Sequence, residues 1–392
     1  MSRRIDPQDP RTVLPSDLSE ATGWDETAGG PGGSTPGFWG KIVRLFDSAP
    51  AEAHEQGRRL RAAVRAQDIP LVRKMIAQGV GVNASQEASL ACIACRRGNV
   101  ELLSTLLDAG VDPNKPDRRS QNSRARTPLQ EASRRGWIEG VELLLTHGAS
   151  VDECEPGDFT ALHLAARAGH AKVVRQLLLA KADPCGDRHA PAGPLHETAS
   201  MDVLELLLAA GALPNQRDRN KSTPLHQQAY HGRPDLIARL LSAGADPMAV
   251  DRRGRLAIFL VGGRGDAIKS YRRLREAIES HPDASQCAAT MDQSFASLSH
   301  TSGLAAQVPA WMRRRDANNN TLAHSIAARA TSLAILEQVF EDAPALWGLR
   351  NNHAQTPCDV LASRDLADWA GVMSGRVDRA RVVIAPALVG LG

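Results

Sequence analysis

The chain is short of several things, and each shortage removes a class of protein. Six cysteines in 392 residues (Cys92, Cys95, Cys154, Cys185, Cys287 and Cys358) are too few and too scattered for a disulfide framework, so a reducing compartment is expected. No run of 18 apolar residues occurs, so no helix is expected to span a bilayer. The start, Met1-Ser-Arg-Arg-Ile-Asp6, has positive charge with no apolar run behind it, so no secretory signal is expected and the protein is read as soluble. Charge is nearly balanced, 47 basic against 44 acidic side chains for a net +3, which excludes nucleic-acid binding by bulk basicity. Lysine is scarce, 7 against 40 arginines, a leaning that suits a GC-rich bacterial gene. Aromatic residues make up only 4%. What is present is an ordinary 42% of hydrophobic residues, which excludes wholesale disorder.

The texture changes along the chain. Residues 1–37, rich in Pro, Gly and Ser, have little to bury and read as a disordered tail. From Phe38 onward apolar residues recur at helical spacing. Self-similarity is the stronger signal. Thr160-Ala-Leu-His163 returns as Gly193-Pro-Leu-His196 and Thr223-Pro-Leu-His226, and appears upstream as Thr127-Pro-Leu-Gln130. Leu-Leu pairs fall at 106–107, 144–145, 177–178, 206–207 and 240–241. Each is followed by Gly110-Val111, Gly148-Ala149, Lys181-Ala182, Gly211-Ala212 or Gly244-Ala245.

One unit, 158–190, shows the physics. Thr160 caps a short helix in which Ala165 and Ala166 let a neighbour approach closely, and Gly169-His170 breaks it. Val173, Val174, Leu177 and Leu178 then form the apolar stripe of a second helix. Two short helices cannot enclose a core, so units must stack into an all-α solenoid.

The sequence resembles the ankyrin repeat family, whose pattern Thr-Pro-Leu-His-x-Ala-Ala, Gly-His, Leu-Leu, Gly-Ala is matched almost throughout by Thr160–Ala182. The resemblance is strong over 57–250 and returns at 316–365 as Thr321-Leu-Ala-His324 and Thr356-Pro-Cys-Asp359. It implies paired antiparallel helices, hairpin loops projecting as fingers, and a concave face made by fingers and first helices. It also implies that His163, His196, His226 and His324 tie neighbouring fingers by hydrogen bonds. The expected organisation is a tail (1–37), an amphipathic capping segment (38–56), repeats (57–250), degenerate repeats or an interruption (251–315), C-terminal repeats and cap (316–372), and a tail (373–392). Three departures stand out. The finger from Lys115 to Arg126 is five residues longer than the next, 186–215 lacks the turn between its helices, and Lys181 stands where Gly usually ends the second helix.

Candidate chemistry is thin. Cys92-Ile-Ala-Cys95 has no second pair for zinc and no strand before it for redox work. Aligned on Gly98, Cys92 falls at the tetrapeptide His position and Cys95 at a small buried one, so packing is expected. Gly263 to Ser270 has phosphate-loop spacing, but Ile268 stands where that motif needs Gly. Gly262–Asp266 is therefore read as a turn, with Ile268, Tyr271 and Leu274 as a packing stripe. No catalytic residue, cofactor or metal is expected, and the chain is read as non-enzymatic.

Recognition of another protein is the expected function. Basic residues gather on the expected fingers: Lys115, Arg118, Arg119, Arg124 and Arg126; Arg217, Arg219 and Lys221; Arg252, Arg253 and Arg255; and Arg313–Arg315 before Asp316. They read as solvated tips, or as a basic ridge steering an acidic partner. One finger breaks the pattern with Asp152, Glu153, Glu155 and Asp158, which argues against nucleic acid as the partner. Trp137, at the turn of its unit, is expected half-exposed beside the first basic finger as an anchor for the partner. A monomer is expected, either a cytoplasmic regulator or inhibitor of a partner enzyme, or an effector secreted into a host without a cleavable signal. A rival enzyme reading would place its site in 251–315.

Phe38, Trp39, Ile42, Leu45 and Phe46 would share one face of a helix flanked by Lys41 and Arg44. That face suits a cap over the open end of the first repeat, a membrane surface or a partner groove, and the cap is preferred. On that reading a peptide covering 30–60 does not float with anionic liposomes. Flotation would establish the membrane reading instead.

Overall fold

A threonine followed by proline, alanine or leucine starts a helix in five of the repeats. The structure of the protein is a computed structural model that describes residues 55–83, 89–117, 125–154, 158–186, 192–284 and 308–384. The segment 38–46 expected as a cap lies outside those residues. Thr127, Thr160, Thr223, Thr321 and Thr356 hold extended backbone at N-cap positions. The extended cap residue leaves its hydroxyl facing the unpaired N–H groups of the first turn, and a proline placed next loses no bond there. Two turns later Gly98, Gly136, Gly169 and Gly232 take left-handed φ angles of +70°, +73°, +77° and +62° and end the helix.

Helices therefore come in pairs. They are residues 55–66 (α1) with Ile69–Ala77 (α2), Leu90–Arg97 (α3) with Val100–Asp108 (α4), and Pro128–Arg135 (α5) with Ile138–Thr146 (α6). Ala161–Ala168 (α7) pairs with Ala171–Leu179 (α8), Pro194–Glu197 (α9) with Met201–Ala209 (α10), and Pro224–His231 (α11) with Pro234–Ser242 (α12). In the next unit a 3-10 turn, Ala257–Leu260, stands in for the first helix and Ala267–Glu279 (α13) is the second. Leu322–Ala327 (α14) with Leu333–Asp342 (α15) and Pro357–Ala362 (α16) with Ala367–Ile384 (α17) complete the series. Among the described residues there is no strand, only an isolated bridge between Asp117 and Arg126.

From α3 onward first helices pack on first helices, and from α2 onward second helices pack on second helices, through to α16 and α17. The stack is the all-α solenoid expected from the repeats, and it has one continuous core. In α8 the stripe Val173, Val174 and Leu177 is buried, each side chain contributing about 1.5–3 kcal/mol. Small residues on α7, Ala161, Ala165 and Ala166, are buried on the other side and admit the neighbouring first helices.

Where the pattern departs, the backbone compensates. α9 is a single turn, leading almost directly into α10. Lys181 adopts φ +69°, so a lysine accepts the left-handed conformation that Gly211 and Gly244 supply elsewhere. Past residue 251 the core becomes aromatic: Phe259, Tyr271, Trp311 and Trp347 are among the largest fully buried side chains. Trp311 and Trp347 each sit in a 3-10 turn, Ala310–Arg313 and Pro344–Gly348. The finger and helix of residues 251–279 pack directly against α14 and α15, so the stack continues through this region. At the C-terminus the tail expected from 373 begins too early. α17 runs to Ile384 and buries Met373 and Val377.

The turns between paired helices are sewn to the preceding unit. His170 Nε2 donates to Arg134 O (3.2 Å), Arg233 Nη1 to Thr198 O (2.8 Å), Arg329 Nη1 to Phe259 O (3.2 Å), and Arg364 Nη1 to Ala327 O (2.9 Å). Each donor satisfies carbonyls that a helix end leaves unpaired.

Gly232 shows how tightly these turns nest. A Cβ there would lie 1.8 Å from Arg264 O, whereas at Gly244, φ +85°, nothing lies within 4 Å. Gly244→Ala should cost only the left-handed strain, about 1–2 kcal/mol. Gly232→Ala should cost about 2–5 kcal/mol because the neighbouring backbone must also move. Denaturant melts of the two variants check the difference.

Candidate interaction surface

The finger end of each unit begins at the N-cap. His163 Nδ1 accepts from Thr160 N (3.2 Å) while its Nε2 lies 2.6 Å from Ala192 O in the next finger. Because a carbonyl only accepts, Nε2 must carry the proton. The same double role falls to His196 with Ser222 O (3.0 Å), His226 with Arg255 O (3.0 Å) and His324 with Gln355 O (2.8 Å). Two other residue types do the work at this position. Gln130 accepts from Thr127 N (2.7 Å) and donates to Phe159 O (2.9 Å), and the Cys92 thiol donates to Arg126 O (3.3 Å). Cys92 and Cys95 are buried, and burial first of all raises the Cys95 thiol well above its ordinary range. The C-x-x-C pair is thus part of the packing and of this hydrogen-bond row.

Four later fingers share one turn. Asp218 Oδ1 accepts from Asn220 N (2.8 Å) and Ser222 N (2.7 Å). Asp251, Asp316 and Asn351 repeat both bonds. The fourth residue of each turn, Lys221, Gly254, Asn319 or Ala354, has positive φ. The tips then join by backbone: Arg252 N donates to Asn220 O (2.7 Å), Ala317 N to Arg253 O (2.9 Å) and Asn352 N to Asn318 O (3.2 Å). Tips 218–222, 251–255, 316–320 and 351–355 therefore lie side by side.

The basic residues divide. Arg217, Arg219, Lys221, Arg252 and Arg253 are exposed on two adjacent, joined tips. Arg255 is not part of that ridge. It pairs with Asp251 at 2.7 Å, their side chains 14% and 3% exposed. Burial pushes the Asp251 carboxyl up, but the Arg255 side chain and the N–H groups of Arg255 and Arg253 outweigh it and hold it below the ordinary range. Arg313–Arg315 are half-buried; Arg313 Nε donates to Val308 O (2.8 Å) and Arg315 Nη1 to Arg350 O (3.4 Å). The tips that follow them carry Ala317, Asn318, Asn352 and His353, so the basic stretch stops after residue 253.

In the first finger, Lys115 Nζ donates to Asn83 O (2.7 Å), and Arg126 is exposed, 3.7 Å from Glu131. Arg118, Arg119 and Arg124 lie outside the described residues. Trp137 is half-buried as expected, but it is not beside that finger. It stands at the N-cap of α6, beyond the far end of α5, a helix of eight residues and so about 12 Å long. Its ring covers Gly140, where a Cβ would lie 2.1 Å away.

The turn Gly262–Asp266 leads into α13 as the packing stripe requires, with Tyr271 and Leu274 buried and Ile268 packed at the edge of the core. Asp266 Oδ1 accepts from Lys269 N (3.0 Å) and its carboxylate pairs with Lys269 Nζ (3.0 Å). A carboxylate, not a vacancy for phosphate, thus stands at this helix start. Among the described residues no group of three His, Cys, Asp or Glu side chains could hold a metal ion, and no helix is long and apolar enough to cross a membrane.

A second basic group escapes the reading of the fingers. Arg65, Arg96, Arg97, Arg134 and Arg135, with Glu131, line a cavity of about 380 Å³ at the far ends of α1, α3 and α5. The available signal was the dipeptide Arg-Arg placed immediately before the helix-ending Gly98 and again before Gly136.

Residues 93–188 match the family model for ankyrin repeats in three copies, and residues 220–252 match that for a single ankyrin repeat. Over 160 residues the chain is 32% identical to human inversin, covering 39% of this chain and 15% of inversin. It is 33% identical over 175 residues to the bovine ankyrin repeat and SOCS box protein 3, covering 43% and 32% of the two chains. The chain thus spans a third or less of the length of these curated relatives. Among solved structures it is similar to the ankyrin repeat domain of Bcl-3 (TM-score 0.45, 22% identity, 55% of this chain and 97% of that one). The human ASB11 ankyrin repeat domain is similar too (TM-score 0.47, 24% identity, 56% and 96%).

The histidine row carries a pH dependence. His196, His226 and His324 are held below the ordinary histidine range, first because burial disfavours the cation. The unfolded chain therefore binds more protons near pH 6, so the stabilisation is complete above about pH 6.5 and is lost as pH falls. Melting temperature should drop between pH 7.5 and 5. His226→Gln, which copies the bonds of Gln130, should melt close to wild type at pH 7.5 and lose less at pH 5. His226→Ala should cost about 1–3 kcal/mol at pH 7.5 by leaving buried groups unpaired, and less relative to wild type at pH 5, where the wild type has itself lost part of this stabilisation.

Proposed function

The chain carries ankyrin repeats at 93–188 and 220–252, modules that are interaction scaffolds and typically non-catalytic, and on that premise we propose that it recognises a protein with an acidic surface without transforming it. The observation that carries the reading is the backbone joining of fingertips, which sets Arg219 and Lys221 beside Arg252 and Arg253. Neighbouring tips lie within about one Debye length at physiological salt, so their potentials add. Guanidinium groups suit carboxylates through paired hydrogen bonds, and such a ridge acts mainly by speeding encounter. The repeat histidines support a non-catalytic role, since both ring nitrogens of each are committed to bonds within the stack. Free cysteines, two of them buried, support action in a reducing cytoplasm.

The test needs the partner, obtained by affinity capture with the full chain. Replacing Arg252 and Arg253 by Glu, or reversing Arg118, Arg119, Arg124 and Arg126 to Glu in a second variant, should lower the association rate about tenfold or more at low salt and flatten its salt dependence. Surface plasmon resonance reads both quantities. Rates indistinguishable from wild type in both variants remove the ridge from the function.

A further inference from the structure

We propose that the arginine-lined cavity at the far ends of α1, α3 and α5 is a binding groove for an extended, carboxylate-rich peptide segment of the partner. The inference rests on the recognition reading above and assigns it a second site, separate from the fingertips. Gln67, Gly98 and Gly136 share one left-handed turn position, with φ of +59°, +70° and +73°. Two residues before each stands Arg65, Arg96 or Arg134, which makes one row along the stack. Arg97 and Arg135, one residue before Gly98 and Gly136, begin an adjacent row.

Charge within the groove is only partly answered. Glu131, 7% exposed, pairs with Arg134 at 2.8 Å, and Arg96 pairs with Asp117. Arg65, Arg97 and Arg135 are exposed and have no ion pair among the described residues. Complementing the negative C-terminal ends of α3 and α5 accounts for a basic residue in each last turn. It does not account for three cations converging on one cavity with Ile93 as an apolar contact in its wall.

Spacing selects the ligand. Packed helices lie about 8–10 Å apart, and an extended chain of polyproline II form advances about 3.1 Å per residue with three residues per turn, so every third side chain returns to the same face and comes level with the next first helix. Acidic residues at such intervals would meet the cations of successive units. Nucleic acid fits worse, because single strands need aromatic stacking platforms and the lining has none. The buried Glu131 carboxylate also disfavours a compact, multiply charged phosphate.

The experiment is fluorescence anisotropy on the full chain, with a labelled twelve-residue probe carrying Glu at every third position between Gly and Ser. The expected result is salt-sensitive binding that weakens about tenfold in R65Q/R97Q/R135Q, from three exposed pairs of modest strength. R217E/R219E/R252E/R253E should leave probe binding within twofold. Thermal melts report folding; if the triple variant is unfolded, R97E alone should weaken the probe at least threefold. The proposal is overturned if wild type fails to bind the probe, if the groove variants bind it as wild type does, or if a twelve-residue oligothymidylate binds more tightly. A groove variant with normal probe binding, beside fingertip variants that still slow partner capture, would end this proposal and leave the recognition reading standing. Fingertip variants with normal capture and groove variants that lose the probe would do the reverse.

Discussion

A buried ring that accepts from its own helix start and donates to the next finger is the tie on which this array depends. No two-helix unit here can enclose a core, so each is stable only against its neighbours. Apolar burial between units supplies most of the attraction but is non-directional. The direction comes from the N-cap row. Cys92, Gln130, His163, His196, His226 and His324 each place a donor on a carbonyl of the following unit. Each bond adds about 1 kcal/mol net, but leaving its buried partners unpaired costs more, so the row fixes how units stack.

A second row runs the opposite way. At the turns, His170, Arg233, Arg329 and Arg364 reach back to carbonyls of the preceding unit. A unit is therefore held forward at its finger end and backward at its turn end, which suppresses rotation of one unit on the next. Aligned fingertips follow from that restraint. The unit at 251–279 lacks the forward side-chain tie, since Phe259 occupies the donor position and cannot donate. Here the stack relies on Ala317 N to Arg253 O, on Tyr271 OH to Asp342 Oδ2 (2.8 Å) and on Arg272 to Gln338 (2.8 Å).

Much of this was legible in the residues. A threonine three positions before a histidine specifies both a cap and a tie, and the alignment of Cys92 on Gly98 foretold a packing role for its thiol. The fate of individual arginines was not legible. Arg252 and Arg253 are exposed at the tip of the turn, while Arg255 is braced against Asp251 because those two residues face each other across its base, joined by Asp251 N to Arg255 O and Arg255 N to Asp251 Oδ1 (both 3.0 Å). Nor was the distance of Trp137 from the first finger legible, because sequence proximity hides which end of an eight-residue helix a neighbour occupies. The groove arginines carry no distinguishing mark in the sequence, because a basic residue in a last turn is ordinary helix chemistry. Only the stacking of three units shows that they converge.

The last unit breaks the sequence of donors in an instructive way. At the third helical position, where the other units carry their donor, Asp359 accepts from Thr356 N (2.7 Å) and Thr356 Oγ1 (2.8 Å), and these bonds hold its carboxyl below the ordinary range. An ionised carboxylate has no proton to offer onward. The helix start is satisfied, but the side chain at this register receives and does not give. Among the described residues, the relay of onward donors that begins at the Cys92 thiol thus arrives at a pure acceptor.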